Sequence, residues 1–139
     1  MEDHQIPLLY ERESESIRDA CYEVWKEFGG AFKEKVVDRA LDIALGSRRF
    51  RVDPQKRFPI YFKGKKVGEY IPDKIIDDII ILELKCKEYL TQEDKRQSWL
   101  YLKGTPYKLL LLVNFGAKKL EFKRLVYDTA RNANRRNSA

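Results

Sequence analysis

The sequence predicts one mixed α/β domain, with helices flanking a central mixed sheet, and three observations predict it. Two segments with helical apolar spacing come first. A stretch rich in β-branched and aromatic residues follows. Two nearly continuous apolar runs then stand on either side of a third, amphipathic segment. With 139 residues the chain has room for one such core, because two would leave each half too small. At 43% apolar and 12% aromatic it is too rich in core formers for a disordered chain.

The elements follow in order. Residues 1–13 read as a flexible N-terminal tail. Ile17, Cys21, Val24, Trp25 and Phe28 recur at helical spacing, which predicts a helix over 14–28 stopped by Gly29-Gly30. A second helix carries Phe32, Val36, Val37, Ala40, Leu41 and Ala44 on its apolar side and ends at Gly46. From residue 50 to 85 the signals are those of strands. Segments 58–62 and 67–71 flank a short Gly-containing turn suited to a β-hairpin. Residues 79–85 read as a strand buried on both faces. Thr91 is a plausible N-cap for a third helix over 92–103, closed by Gly104 and Pro106. Residues 107–114 read as a second buried strand, and 119–126 as an edge strand. The order is α-α-β-β-β-β-α-β-β, a single domain over 14–127 followed by a basic, flexible tail over 128–139.

Composition removes several classes of function. The longest uninterrupted apolar run has five residues (109–113), against roughly 20 for a membrane span. The opening Met1-Glu2-Asp3-His4 lacks the basic-then-apolar order of a secretory signal. Two cysteines, Cys21 and Cys86, make no disulfide scaffold and no Cys-x-x-Cys zinc site, and both read as core thiols. His4, the single histidine, lies in the tail and argues against histidine chemistry. No Gly-rich phosphate loop is present. The expectation is a compact cytoplasmic domain.

The net charge is +6, with basic residues gathered at Arg48, Arg49 and Arg51, at Lys63, Lys65 and Lys66, and at Arg131, Arg135 and Arg136. Two readings stay open, a solvated surface or a footprint for a phosphate backbone.

The most informative feature is the charged end of a buried strand. Side chains alternate, so Ile79, Ile81, Glu83 and Lys85 share one face while Ile80, Leu82 and Leu84 take the other. A carboxylate and an ammonium beside a core cost several kcal/mol unless paired. Glu83 and Lys85 either pair with each other, or a ligand completes the site. If the preceding segment pairs antiparallel about a turn near residues 76–78, Asp73 approaches Glu83. Two close carboxylates suit Mg²⁺ or Mn²⁺, and Lys85 then orients a water or stabilises a phosphate in attack. That chemistry is metal-assisted phosphodiester hydrolysis.

Pro72-Asp73, followed after nine residues by Glu83-Leu84-Lys85, resembles the PD-(D/E)XK nuclease signature. The wider context resembles the GxxExxY family, small prokaryotic members of that superfamily. The segments that carry this resemblance are Tyr61-Phe-Lys-Gly-Lys-Lys-Val-Gly-Glu-Tyr70, Gln97 through Leu102-Lys103, Leu112-Val-Asn-Phe-Gly116 and Lys119-Leu-Glu-Phe-Lys-Arg124. One departure stands out: the naming motif reads Ala31-x-x-Glu34-x-x-Val37, so only its glutamate is kept.

The resemblance implies a restriction-endonuclease-like core and roles for individual residues. Asp73 and Glu83 would ligate Mg²⁺, or Mn²⁺ in its place, with the Leu84 carbonyl and Glu34 from the second helix. Lys85 would act on the nucleophilic water. Gln97-x-x-x-Tyr101 is similar to an element of the recombination-exonuclease branch, its two residues one helical turn apart and able to face one site. The expected activity is a Mg²⁺-dependent nuclease on DNA, or on RNA. The alternative is a nucleic-acid-binding module that keeps the fold without the activity. The retained Asp73, Glu83 and Lys85 favour the enzyme. A chain of this size has no room for a separate recognition domain, so a homodimer or larger complex is the expected source of specificity.

Overall fold

The computed structural model describes residues 8–128. The expected tails therefore lie largely outside the described residues, as do His4 and the Arg131, Arg135 and Arg136 cluster. Three helices and seven strands are present among the described residues: α1 (Glu11–Phe28), α2 (Glu34–Ser47), β1 (Val52–Pro54), β2 (Phe58–Phe62), β3 (Lys65–Tyr70), β4 (Lys74–Ile76), β5 (Ile80–Lys85), α3 (Gln92–Lys103), β6 (Leu109–Phe115) and β7 (Leu120–Val126).

Five strands form one mixed sheet in the order β1-β4-β5-β6-β7. Every pairing in it is antiparallel except β5 with β6, which α3 joins as a crossover. Alternation in β5 splits the core as the sequence predicts. Ile80, Leu82 and Leu84 pack with α1 and α2, whereas Ile81 packs with Leu102 of α3 and with Tyr70. The sheet is thus covered on both faces, and β7 is an edge as expected. No helix among the described residues is long and apolar enough to cross a membrane.

Four details differ from the sequence expectation. Helix α1 begins at Glu11, three residues earlier, and Ser14 is a buried residue near its start. The Ser14 hydroxyl accepts from Arg124 of β7, which also donates to the Leu9 carbonyl at 2.6 Å. In α2 the buried stripe is Val37, Leu41, Ala44 and Leu45, so Val36 and Phe32 stay exposed. Phe32 precedes the helix and meets Phe28 edge-on, ring centres 5.1 Å apart. The stretch from 50 to 85 holds five strands, not four, because β1 and β4 are three-residue strands too short to leave a periodic signal. Finally, the β2–β3 hairpin forms a separate two-stranded sheet. Its turn residues Lys63 and Gly64 both have positive φ (49° and 78°), the geometry of a tight two-residue hairpin turn.

Helix α3 spans the predicted residues, and its cap is reciprocal. The Thr91 hydroxyl accepts the Asp94 N–H at 3.1 Å while the Asp94 carboxylate accepts the Thr91 N–H at 2.9 Å. Burial pushes the Asp94 carboxyl up, but bonds from Lys87 Nζ and from Thr91 outweigh it and hold it down to about 2. A depressed carboxyl stabilises the fold above its ordinary pKa and loses that contribution as pH falls from about 4 toward 2. In urea titrations Asp94→Asn is therefore expected to be less stable than wild type near neutrality and to converge with it at the acid end. A gap that ignores pH would reject the assignment.

Candidate functional site

The parallel β5–β6 pair runs toward the edge where the charged residues collect. Strand β4 lies antiparallel beside β5 with Lys74 opposite Leu82, which sets Asp73 across from Glu83. Two crossing bonds lock this arrangement. The Asp73 N–H donates to Glu83 Oε1 at 2.9 Å, and the Leu84 N–H donates to Asp73 Oδ2 at 2.7 Å. Each carboxylate is fixed by the other residue's strand, so sequence positions ten apart act as one rigid unit.

This unit is electrostatically strained. Burial, then the neighbouring Asp73, pushes the Glu83 carboxyl up to about 7. Burial also raises Asp73, although the Leu84 N–H works against it. Glu34, the first residue of α2, is exposed, and its carboxyl is raised by partial desolvation and then by Asp73, while Lys85 pulls it down. Glu34, Asp73, Glu83 and Lys85 are therefore near enough for their charges to act on one another. Lys85 is half-buried and closes no ion pair with any described residue, so the Glu83–Lys85 pairing left open above does not form. Glu83 finds its partner in the Asp73 amide instead.

Tyr70 lies beside Glu83. The Tyr70 hydroxyl is buried beside it, close enough to lower its proton affinity, yet completes no hydrogen bond of ordinary geometry. Tyr101 of α3 stacks flat on Tyr70, with ring centres 4.3 Å apart and planes 6° from parallel. Gln97 is exposed one turn earlier and bonds none of these residues.

The donors suit a hard divalent cation. Two half-buried carboxylates pressed together at one strand end are polar groups that a cation and its waters would relieve. Among the described residues no three His, Cys, Asp or Glu side chains are grouped so that they could hold a metal ion. The pair of Asp73 and Glu83 supplies oxygen donors of the kind that hard divalent cations take.

The basic clusters are not brought together. Arg48, Arg49 and Arg51 sit at the far end of α2 from Glu34, about 20 Å along its axis. Arg48 pairs with Glu23 at 2.8 Å and Arg51 with Asp53 at 3.5 Å. Lys63, Lys65 and Lys66 are exposed on the β2–β3 hairpin, where Lys66 pairs with Glu69 at 3.0 Å. Burial pushes the thiol of Cys21 up to about 12 and that of the half-buried Cys86 up to about 11, which disfavours the reactive thiolate.

Three supporting residues went unread in the sequence. Lys74, adjacent to Asp73, is 1% exposed and held by Asp38 and Asp42 of α2. Its signal was a lysine in an apolar triplet together with two aspartates spaced i, i+4 on a helix. Tyr70, read only as a strand residue, is the floor under Glu83. Asn114 is fully buried opposite Lys85, and its amide bonds the Lys87 backbone at 2.9 and 3.0 Å and Glu121 at 2.9 Å. It fixes the chain just beyond the charged strand end.

Comparison with known proteins agrees with this geometry. Residues 11–125 match the family model described as the PD-(D/E)XK nuclease superfamily. No curated protein matches the chain. Among solved structures the chain is similar to the crystal structure of SSO0001, with a TM-score of 0.55 and 17% identity over 88% of this chain. The match covers 62% of that protein, so the chain spans less than two thirds of its length. An alkaline exonuclease (LHK-Exo) from Laribacter hongkongensis also matches, with a TM-score of 0.46 and 12% identity over 93% of this chain and 76% of that one. A mixed sheet that crosses Asp73 with Glu83 at one strand end, and a family match over nearly all the described residues, have one meaning: the chain belongs to the PD-(D/E)XK nuclease superfamily.

Proposed function

We propose that this chain is a Mg²⁺-dependent nuclease that hydrolyses phosphodiester bonds of DNA, with Mn²⁺ able to substitute, and that within its superfamily it stands with the GxxExxY proteins. The observation that carries the reading is the crossed pair of Asp73 and Glu83, two half-buried carboxylates, with Lys85 on the same strand face as Glu83. One domain does this work, the expected span of 14–127 lengthened at its start by the first turn of α1.

When bound, a divalent cation would supply a Lewis acid for the phosphate and a water of lowered pKa. Asp73, Glu83 and the Leu84 carbonyl would hold it, with Glu34 reaching in from the start of α2. The Lys85 ammonium orients the attacking water and meets the negative charge that grows on the phosphate. Tyr101 acts through its stack on Tyr70, which holds Glu83 in place. Gln97, exposed on the same helix, meets the substrate, and the hairpin lysines Lys63, Lys65 and Lys66 contact phosphates. Mutual repulsion of the carboxylates is the energy that cation binding releases.

The reading predicts a shared site. Mn²⁺ at about a hundred times its dissociation constant should stabilise the wild type by about 2.7 kcal/mol. Asp73→Asn should lose nearly all of that gain in a thermal melt. Equal stabilisation of both proteins would reject the shared site. Activity is tested by cleavage of single-stranded, duplex and branched DNA, and of RNA, with Mg²⁺, with Mn²⁺ and with chelator. No cleavage of any substrate under any of these conditions would overturn the reading in favour of a binding module.

A further inference from the structure

The aromatic stack beside Glu83 has a second side. There it forms part of the wall of a groove of about 380 Å³ between the β2–β3 hairpin and α3, within the range of small-molecule sites. Phe58, Tyr61 and Tyr70 come from the hairpin, and Leu100 and Tyr101 from the helix. Several of these apolar groups are open to solvent: Tyr61 is 62% exposed and Leu100 51%. Flat aromatic groups left uncovered around one concavity mark a binding surface.

We propose that this groove takes an unstacked nucleobase of the substrate strand. The inference rests on the nuclease reading and names the class of substrate, which is nucleic acid with unpaired bases next to the scissile phosphate.

Three observations select a base as the occupant. The first is continuity, because Tyr70 both lines the groove and lies against Glu83. A strand whose backbone crosses the carboxylates therefore has its neighbouring base at the groove. The second is charge. Lys66 is the cross-strand partner of Tyr61 and Lys65 that of Phe62, so ammonium groups stand on the hairpin that forms one wall. Arg57 precedes Phe58 and Lys103 precedes Gly104, while Glu69 is the one carboxylate bonded to this set, holding Arg57 at 2.9 Å and Lys66 at 3.0 Å. An aromatic slot beside a basic hairpin matches a base attached to a phosphate backbone better than an apolar peptide or an acidic pocket ligand. The third is what the groove does not offer. The Thr105 hydroxyl is already engaged, donating to the Leu102 carbonyl at 2.9 Å and accepting from the Tyr107 N–H at 3.2 Å. The walls present faces and few free hydrogen-bonding groups. Such a slot accepts any base that is unpaired and rejects one still stacked in a duplex.

Anisotropy titrations in chelator test this, using a short labelled single strand, the same sequence as a blunt duplex, and that duplex with a single-stranded tail. Wild type is expected to bind the single strand and the tailed duplex more tightly than the blunt one. Tyr61→Ala, at an exposed position that leaves the fold intact, should weaken binding of the single strand by about 5- to 150-fold, the equivalent of one lost base stack. Binding of the blunt duplex should change little. Tyr61→Trp should restore the single-strand affinity, which a merely structural role would not predict. A 2-aminopurine in the strand should be quenched by the wild type and less so by Tyr61→Ala. If Tyr61→Ala binds the single strand as well as wild type does, or if wild type prefers the blunt duplex, the groove inference is overturned while the nuclease reading stands on its cleavage assay. A dimer seen by sedimentation and dissolved by Tyr61→Ala would mean that a second copy fills the groove, and would overturn it too. Absence of both binding and cleavage in the wild type would remove the nuclease reading itself.

Discussion

Replacing Lys85 by alanine is expected to leave a folded protein that cleaves its substrate at least 10²-fold more slowly, the scale of a lost water-positioning or charge-stabilising group. The structure separates this residue's chemistry from its packing. Lys85 closes no ion pair, and Glu83 is held by the Asp73 amide at 2.9 Å, so truncation orphans no buried charge. A stability loss under about 1 kcal/mol is expected, as for a half-buried side chain without a partner. Cation binding should persist, because Asp73, Glu83 and Leu84 are untouched. Nucleic-acid affinity should persist as well, since phosphate contacts lie elsewhere. Melting temperature and cleavage rate, each with and without Mg²⁺, check all of this at once. Full cleavage by a folded Lys85→Ala protein would remove Lys85 from the mechanism. Unfolding in both conditions would make it a structural residue.

How much of this was legible in the sequence depends on range. The carboxylate pair was readable because both halves sit beside strongly patterned segments: Glu83 and Lys85 end an apolar run, and the alternation of β5 fixes their face. Helix α3 was readable to the residue because Thr91 and Gly104 punctuate it. Short strands were not. β1 and β4 have three residues each, and a period of two leaves no trace in three positions. The start of α1 failed for another reason: its cap, Tyr10, has a left-handed backbone and no capping side chain, so no residue marks where the helix begins. Separation of the hairpin from the main sheet was invisible, because both sheets need the same alternation. The basic clusters show the limit of charge counting. Nothing local reveals that Arg48, just past the end of α2, is engaged by Glu23 of α1.

The Lys74 network lies furthest from the sequence and carries the largest expected stability effect. Lys74 shares the face of Ile76, which puts its side chain under α2. Its ammonium donates to Asp38 Oδ1, to the Asp38 carbonyl at 3.2 Å and to Asp42 Oδ1 at 2.7 Å, so all three of its donors are used. The environment is lopsided: the Lys74 side chain is 2% exposed, against 40% for Asp38 and 49% for Asp42. Removing the lysine therefore leaves two carboxylates that water can solvate. Removing both carboxylates leaves a buried ammonium with little compensation. The double variant Asp38→Asn, Asp42→Asn is thus expected to lose about 3–5 kcal/mol, a large share of a typical domain's 5–15 kcal/mol. Lys74→Met, which fills the same volume and removes the desolvation cost, should lose much less. Urea denaturation of the three proteins decides the order, and Lys74→Met falling as far as the double variant would show that packing of the stem, not the charge, is what matters. The site should feel the same change. Asp38 lies one turn after Glu34, and the pair that pins α2 to the strand beside Asp73 also sets where Glu34 stands. Loosening it should weaken the Mn²⁺-induced thermal shift even in whatever fraction of the double variant remains folded.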